Sequence, residues 1–143
     1  MRVLLDTNVV VSGLLFGGEP RSLLRTLCSS PFELWTSRPL LWELAAVLSS
    51  RRLQAPLGRT GLTVEDLVRG YAGQTFVVPD EALHPEVFPP DPSDAAVVAA
   101  AKAAVVAWVI TGDRHLLDAQ EAMPFEVLTV AVALGRAGEV RTG

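Results

Sequence analysis

Cysteine is almost absent from this chain: Cys28 stands alone among 143 residues. A single thiol closes no intrachain disulfide and builds no cysteine-based metal cluster, which fits a reducing compartment and predicts a cytoplasmic protein. Lysine is as scarce. Lys102 is the only one, and the other eleven of the twelve basic residues are Arg. Sixteen acids set against twelve bases give a net charge of −4, so no basic field of the kind that draws passive nucleic-acid binders surrounds the molecule. Such a balance still admits an enzyme whose acids hold divalent cations that then meet phosphates. Arg is the better bidentate phosphate partner, although a chain rich in Ala, Arg and Gly also acquires that bias from base composition alone. An apolar run of membrane length is missing too. The longest tract, AAVVAAAKAAVVAWVIT at 95–111, carries Lys102 at its middle and is bracketed by Asp94 and Asp113. It falls short of the roughly 20 residues a span requires, and a buried helix running into a buried strand explains it better. Asp6 interrupts the first apolar stretch, so no secretory leader is expected.

Half of the residues are hydrophobic, 20% are charged, and the mean hydropathy is +0.35. Those values suit one compact domain over residues 1–143 and argue against disorder. No internal repeat or low-complexity segment is present. Residues 2–6 read as a strand, followed by one further apolar turn and a loop through Gly17-Gly18. PRSLLRTLCS (20–29) reads as a helix with Pro20 near its start, FELWTS (32–37) as a strand, and RPLLWELAAVLSS (38–50) as a helix with Pro39 in its first turn. Thr63 in TVED has the spacing to cap a helix that ends about Gly73. QTFVVP is a strand, and the proline-rich DEALHPEVFPPDPSD leads into a helix over 94–104. A strand at 106–111, a short helix near 114–121, the strand FEVLT and a last helix near 130–137 complete the chain. Alternating strands and helices predict an α/β domain around a mainly parallel sheet. In such sheets ligands gather beyond the carboxyl ends of the strands.

That rule selects particular acids. Asp6 follows Val3, Leu4 and Leu5 at a strand end, where an unpaired carboxylate costs several kcal/mol. Asp113 follows another strand in TGDRHLL, Glu43 lies one turn into the helix after the second strand, and Asp94 opens the helix after the proline-rich loop. Each has a plainer reading: Asp6 and Asp113 as turn residues or caps, Asp94 as a helix N-cap. Glu43 is harder to dismiss, because its helical neighbours Leu40, Ala46 and Val47 are apolar. Taken together, four carboxylates converge on one sheet edge, repel one another, and are most simply explained by Mg²⁺ or Mn²⁺ held through oxygen ligands.

Supporting positions follow. Asn8 is placed to orient Asp6 or to serve the turn. Thr111 either contacts the metal water or phosphate or simply suits a strand, and Asp91 either adds a fifth carboxylate or caps the helix. His115 reads as an exposed loop residue. Arg51, Arg52 and Arg59 read as solvated surface, with a mobile phosphate clamp as the alternative. Trp42 and Trp108 read as core aromatics rather than base-stacking platforms.

LLDTNVVVSGL, SRPLLWELAAVL, DPSDAAVVAAAKA and VITGDRHLL, in this order and across nearly the whole chain, resemble the PIN-domain ribonucleases, including the toxins of bacterial toxin–antitoxin pairs. The resemblance implies a three-layer α/β/α sandwich and metal-dependent hydrolysis of RNA phosphodiester bonds. It places the metal-binding and catalytic roles on Asp6, Glu43, Asp94 and Asp113. One branch of the family has Asn after the third acid; here Ala95 follows, and DAAVVAAA is similar to the Asp-Ala form of the toxins. The resemblance further implies an RNA substrate, a cognate antitoxin that blocks the acidic groove with a basic side chain, and a homodimer, with no membrane partner. Two other classes compete. A haloacid-dehalogenase-type phosphatase also ends its first strand in Asp, but it wants Asp-x-Asp where this chain has Asn8, and Lys102 sits inside a predicted helix. A non-catalytic PIN module that binds RNA or a protein retains the fold but has no need of all four acids.

Overall fold

Successive residues along each strand face opposite sides of the sheet, and the alternation sets the layers. The computed structural model describes residues 1–86 and 94–142. Its sheet comprises β1 (Arg2–Leu5), β2 (Glu33–Ser37), β3 (Phe76–Val78), β4 (Trp108–Ile110) and β5 (Glu126–Leu128), in the order β3-β2-β1-β4-β5. Every pairing is parallel, with Leu4 opposite Trp35 on one side and Val109 on the other. Val3 and Leu5 of β1 face one apolar cluster with Trp108 and Ile110, while Leu4 and Val109 face a second. Helices cover both faces, which makes a three-layer α/β/α sandwich. Burial on both sides explains why these strands read as continuous apolar runs.

The first cluster is closed by α1 (Thr7–Leu15), α2 (Gly18–Leu27), α5 (Val64–Gly73) and α8 (Val130–Thr142). The second is closed by α6 (Ala95–Ala104) and by Leu116 of α7 (Arg114–Asp118). Helix α3 (Arg38–Leu48) divides its contacts, giving Leu44 and Leu48 to the first cluster and Leu40 to the second. The TVED segment forms the capping box that its spacing predicts: Asp66 N–H donates to the Thr63 hydroxyl and Thr63 N–H to the Asp66 carboxylate, both at 3.0 Å. Where α2 begins, Gly17 and Gly18 adopt φ of +78° and +65°, a conformation that glycine accepts without steric penalty. Arg21 then ties the two helices, donating to the carbonyls of Gly13 at 3.0 Å and Leu14 at 3.3 Å. No helix among the described residues is long and apolar enough to cross a membrane.

Several boundaries differ from the sequence expectation. The apolar turn after β1 is a full nine-residue helix, α1, starting at Thr7 directly after the strand. Its Val9, Val10, Val11 and Gly13 are all buried, and Asn8 and Ser12 alone make too short a polar stripe to betray a helical period. The segment with Arg51, Arg52 and Arg59 forms a 3₁₀ turn (Arg51–Leu53) and α4 (Gln54–Thr60), with all three side chains exposed. Helix α8 runs past residue 137 to Thr142 despite Gly135 and Gly138, because buried Ala133 and Ala137 pack it against α2. Trp42 is not a core aromatic: it is 69% exposed. Leu40, Leu44 and Leu48 form the buried row of α3, and position 42 falls two residues off that row, on the far side of the helix. Trp108 is 4% exposed and packs near Phe32, with ring centroids 6.0 Å apart.

Candidate active site

The junction between β1 and α1 puts a carboxylate where apolar chain surrounds it. Asp6 extends the ladder through its N–H, which donates to Ile110 O at 2.9 Å, and then caps α1. Its Oδ1 accepts from Thr7 N–H at 2.8 Å, and its Oδ2 accepts from the Thr111 hydroxyl at 2.6 Å. Thr111 is fully buried just beyond β4, and its hydroxyl oxygen also accepts from Asp113 N–H at 2.9 Å. One hydroxyl therefore locks together the ends of the two central strands. Asp113 caps α7, accepting from His115 N–H at 2.9 Å, while the exposed His115 ring approaches the same carboxylate oxygen at 3.3 Å.

The charges crowd. Burial pushes the Asp6 carboxyl above its ordinary pKa, the Asp113 charge adds to the rise, and the bonds from Thr111 and Thr7 oppose it. Glu43, half-buried on α3, is pushed up by burial and by the Asp6 charge, against a hydrogen bond with the Thr7 side chain. Thr7 thus binds Asp6 through its backbone N–H, and its side chain opposes the rise at Glu43. Sequence reasoning passed it over, and the signal was a small hydroxyl residue directly after the strand-end acid.

Asp94 reaches this edge by topology. Parallel strands need a crossover helix that returns from the carboxyl end of one strand to the amino end of the next. The far end of α6 is fixed at the amino end of β1, where Arg2 donates to Ala104 O at 2.8 Å. Helix α6 packs along β1, so its beginning lies toward the carboxyl edge, with Asp94 3% exposed in the N-cap position. No capping hydrogen bond joins its side chain to α6. Asp91 lies outside the described residues. Asn8 is exposed on α1 and borders a groove beside Thr111.

The donor set is all oxygen and negatively charged, which suits a hard divalent cation. Among the described residues no three Asp, Glu, His or Cys side chains are already drawn together as a metal-holding group. The coupling is pairwise, Asp6 with Asp113 and Asp6 with Glu43. Mg²⁺ commonly keeps several waters and takes one or two carboxylates plus substrate phosphate rather than a closed protein cage. A buried excess of carboxylate charge, with Glu43 and Asp113 only half-buried beside Asp6, fits that behaviour.

An all-parallel α/β/α sandwich with acids collected at the carboxyl edge of its central strands defines a class of fold and site. A family model described as the PIN domain matches residues 2–115, a stretch that contains Asp6, Glu43, Asp94 and Asp113. The chain belongs to the PIN-domain family, whose members are typically nucleases. No curated protein matches it.

Proposed function

We propose that this chain is an endoribonuclease that hydrolyses RNA phosphodiester bonds with Mg²⁺ or Mn²⁺ held by Asp6, Glu43, Asp94 and Asp113. The observation that carries the proposal is the Asp6 carboxylate: buried, clamped by Thr7 and Thr111, and flanked by the charges of Asp113 and Glu43. A group meant only to cap a helix has no use for two acidic neighbours. A bound divalent cation supplies an activated water at neutral pH and neutralises charge on the phosphate. The chain's own part is to fix Asp6 in one orientation through Thr7 N–H and Thr111, and to hold Asp113 through the Thr111 hydroxyl. No Ser, Cys or His nucleophile is called for.

The finer assignment is the toxin of a type II toxin–antitoxin pair, acting as a homodimer and silenced by a cognate antitoxin. It is supported by the likeness of DAAVVAAA to the toxins' Asp-Ala form. Induced expression should then arrest growth, and Asp6→Asn should relieve the arrest; growth unaffected by the active enzyme would refute the toxin role.

The enzyme itself is tested with purified protein and single-stranded RNA. Cleavage should require Mg²⁺ or Mn²⁺ and stop with EDTA. Asp6→Asn and Asp94→Asn keep size and remove charge, so each should lose at least about 100-fold in rate, on the scale of losing one electrostatic stabiliser. Asp113→Asn should be milder if its contact passes through water, and the exposed Glu139→Gln should act as wild type. Cutting at the wild-type rate by folded Asp6→Asn would defeat the proposal, and RNA binding without any cleavage would favour the non-catalytic module.

A further inference from the structure

A groove of about 340 Å³ opens beside the acids, walled by α1, the start of α2, the end of β4 and the start of α8. Its size is at the small end of the roughly 300–1,000 Å³ typical of ligand pockets. Asn8, Ser12 and Thr129 give it hydrogen-bonding groups, Val9, Pro20 and Val130 give it apolar wall, and Thr111, its hydroxyl already committed to Asp6 and Asp113, borders it. None of the nine residues around it is charged. A neutral groove has nothing to hold a phosphate or a cation. It suits a flat, uncharged group with hydrogen-bonding edges and apolar faces.

We infer that this groove takes a nucleobase of single-stranded RNA next to the scissile phosphate, and that Asn8 and Ser12 read its edge. The inference rests on the nuclease reading of the neighbouring acids. Thr111 links the two places, since it donates to Asp6 at 2.6 Å and borders the groove. A phosphate at the acids therefore leaves its attached nucleoside within reach of the groove. Asn offers two donors and an acceptor, Ser a donor and acceptors, so their combination distinguishes bases by their edge patterns. The wall is rigid where it needs to be. Gly13 lets α2 approach α1 so closely that an added Cβ would stand 3.2 Å from Pro20 O and 3.3 Å from Leu24 Cδ2. Arg21 pins the same junction through the Gly13 and Leu14 carbonyls. Thr129 accepts from Val132 N–H at 3.3 Å and so keeps its hydroxyl proton for a ligand.

The test is binding without metal, in an Asp94→Asn background that lowers the repulsion of RNA and removes cleavage. Fluorescein-labelled hexaribonucleotides of A, C, G and U are titrated by anisotropy. One base should bind about tenfold more tightly than the weakest. Ala131→Phe, on the exposed first turn of α8, fills the groove and should bring the four within twofold, with an unchanged melting temperature. Ser12→Leu, which fills from the opposite wall, should do the same, and Asn8→Ala should narrow the spread without blocking binding. Equal binding of all four hexamers, no binding at all, or a ranking that survives both filling variants overturns the inference. The two readings fail separately: base-selective binding with no cutting by the metal-loaded wild type sinks the nuclease, whereas cutting with equal binding sinks the groove.

Discussion

Replacing Thr111 by Val removes one oxygen and almost no volume, yet two bonds depend on that oxygen. The hydroxyl donates to Asp6 Oδ2 at 2.6 Å and accepts from Asp113 N–H at 2.9 Å. A bond to an ionised carboxylate contributes about 1.5–3 kcal/mol, and a neutral one about 0.5–1.5 kcal/mol. Asp113 is only half-buried, so water can replace part of the second bond, whereas Asp6 is 9% exposed and Thr111 0%. The expected loss at pH 7 in metal-free protein is therefore about 2–4 kcal/mol. Once Asp6 is protonated, both bonds are neutral and the loss should shrink to about 1–2 kcal/mol. That difference means that losing the hydroxyl should push the Asp6 pKa further up. Urea unfolding of wild type and Thr111→Val at pH 7 and near pH 4 reads both values, provided that the denaturant slope is unchanged. Thr111→Ser keeps the hydroxyl and should recover most of the stability and the wild-type pH response. A loss below about 0.5 kcal/mol at pH 7, the scale of a neutral surface change, would refute the role given to Thr111, and so would an equal loss at both pH values.

The pH dependence of the metal-free wild type follows from the same carboxylates. Asp6 and Glu43 are raised in the folded state above ordinary values of 3.8 and 4.5. The native state thus keeps protons that the unfolded chain has released, and stability falls as pH rises from those values through the raised ones. Urea unfolding in EDTA across pH 4–7.5 should show this fall, Asp6→Asn should flatten it, and a melting temperature unmoved by millimolar Mn²⁺ at pH 7 would contradict a cation site. Trp42→Ala should change stability by less than about 0.5 kcal/mol, whereas Trp108→Ala should lose about 3–5 kcal/mol; equal losses in chemical denaturation would overturn the placement of Trp42. Val105 ends α6 with φ of +52° and is 77% exposed. Left-handed backbone burdens a non-glycine residue by roughly 1–2 kcal/mol, partly offset by glycine's greater freedom when unfolded, so Val105→Gly should stabilise by up to about 1 kcal/mol; a lower melting temperature would disprove the strain.

Local rules determined much of this protein. Apolar runs of strand length separated by helical segments specify a parallel sheet, because each strand is buried on two faces and each crossover needs a helix. The capping box at Thr63 was legible because its hydrogen bonds span three residues. Asp6 was legible as an anomaly, a charge placed against an apolar strand. Helix α1 was not, since Val9, Val10 and Val11 look like strand and Asn8 and Ser12 are too few polar residues to mark an amphipathic period. Trp42 was misplaced for a related reason: a large aromatic looks like core until the buried row of its helix is known. Only the tertiary structure decided how the acids are served. The bond from Thr111 to Asp6 joins residues 105 positions apart, and nothing in the local sequence of either requires it. The pairing of Thr7 with Glu43 likewise exists only because α3 packs against α1. Composition and spacing specify elements whose forces act within a few residues. Which carboxylates repel, which hydroxyl steadies them and where a neutral groove opens beside them depend on contacts between distant segments, and those are settled when the layers close.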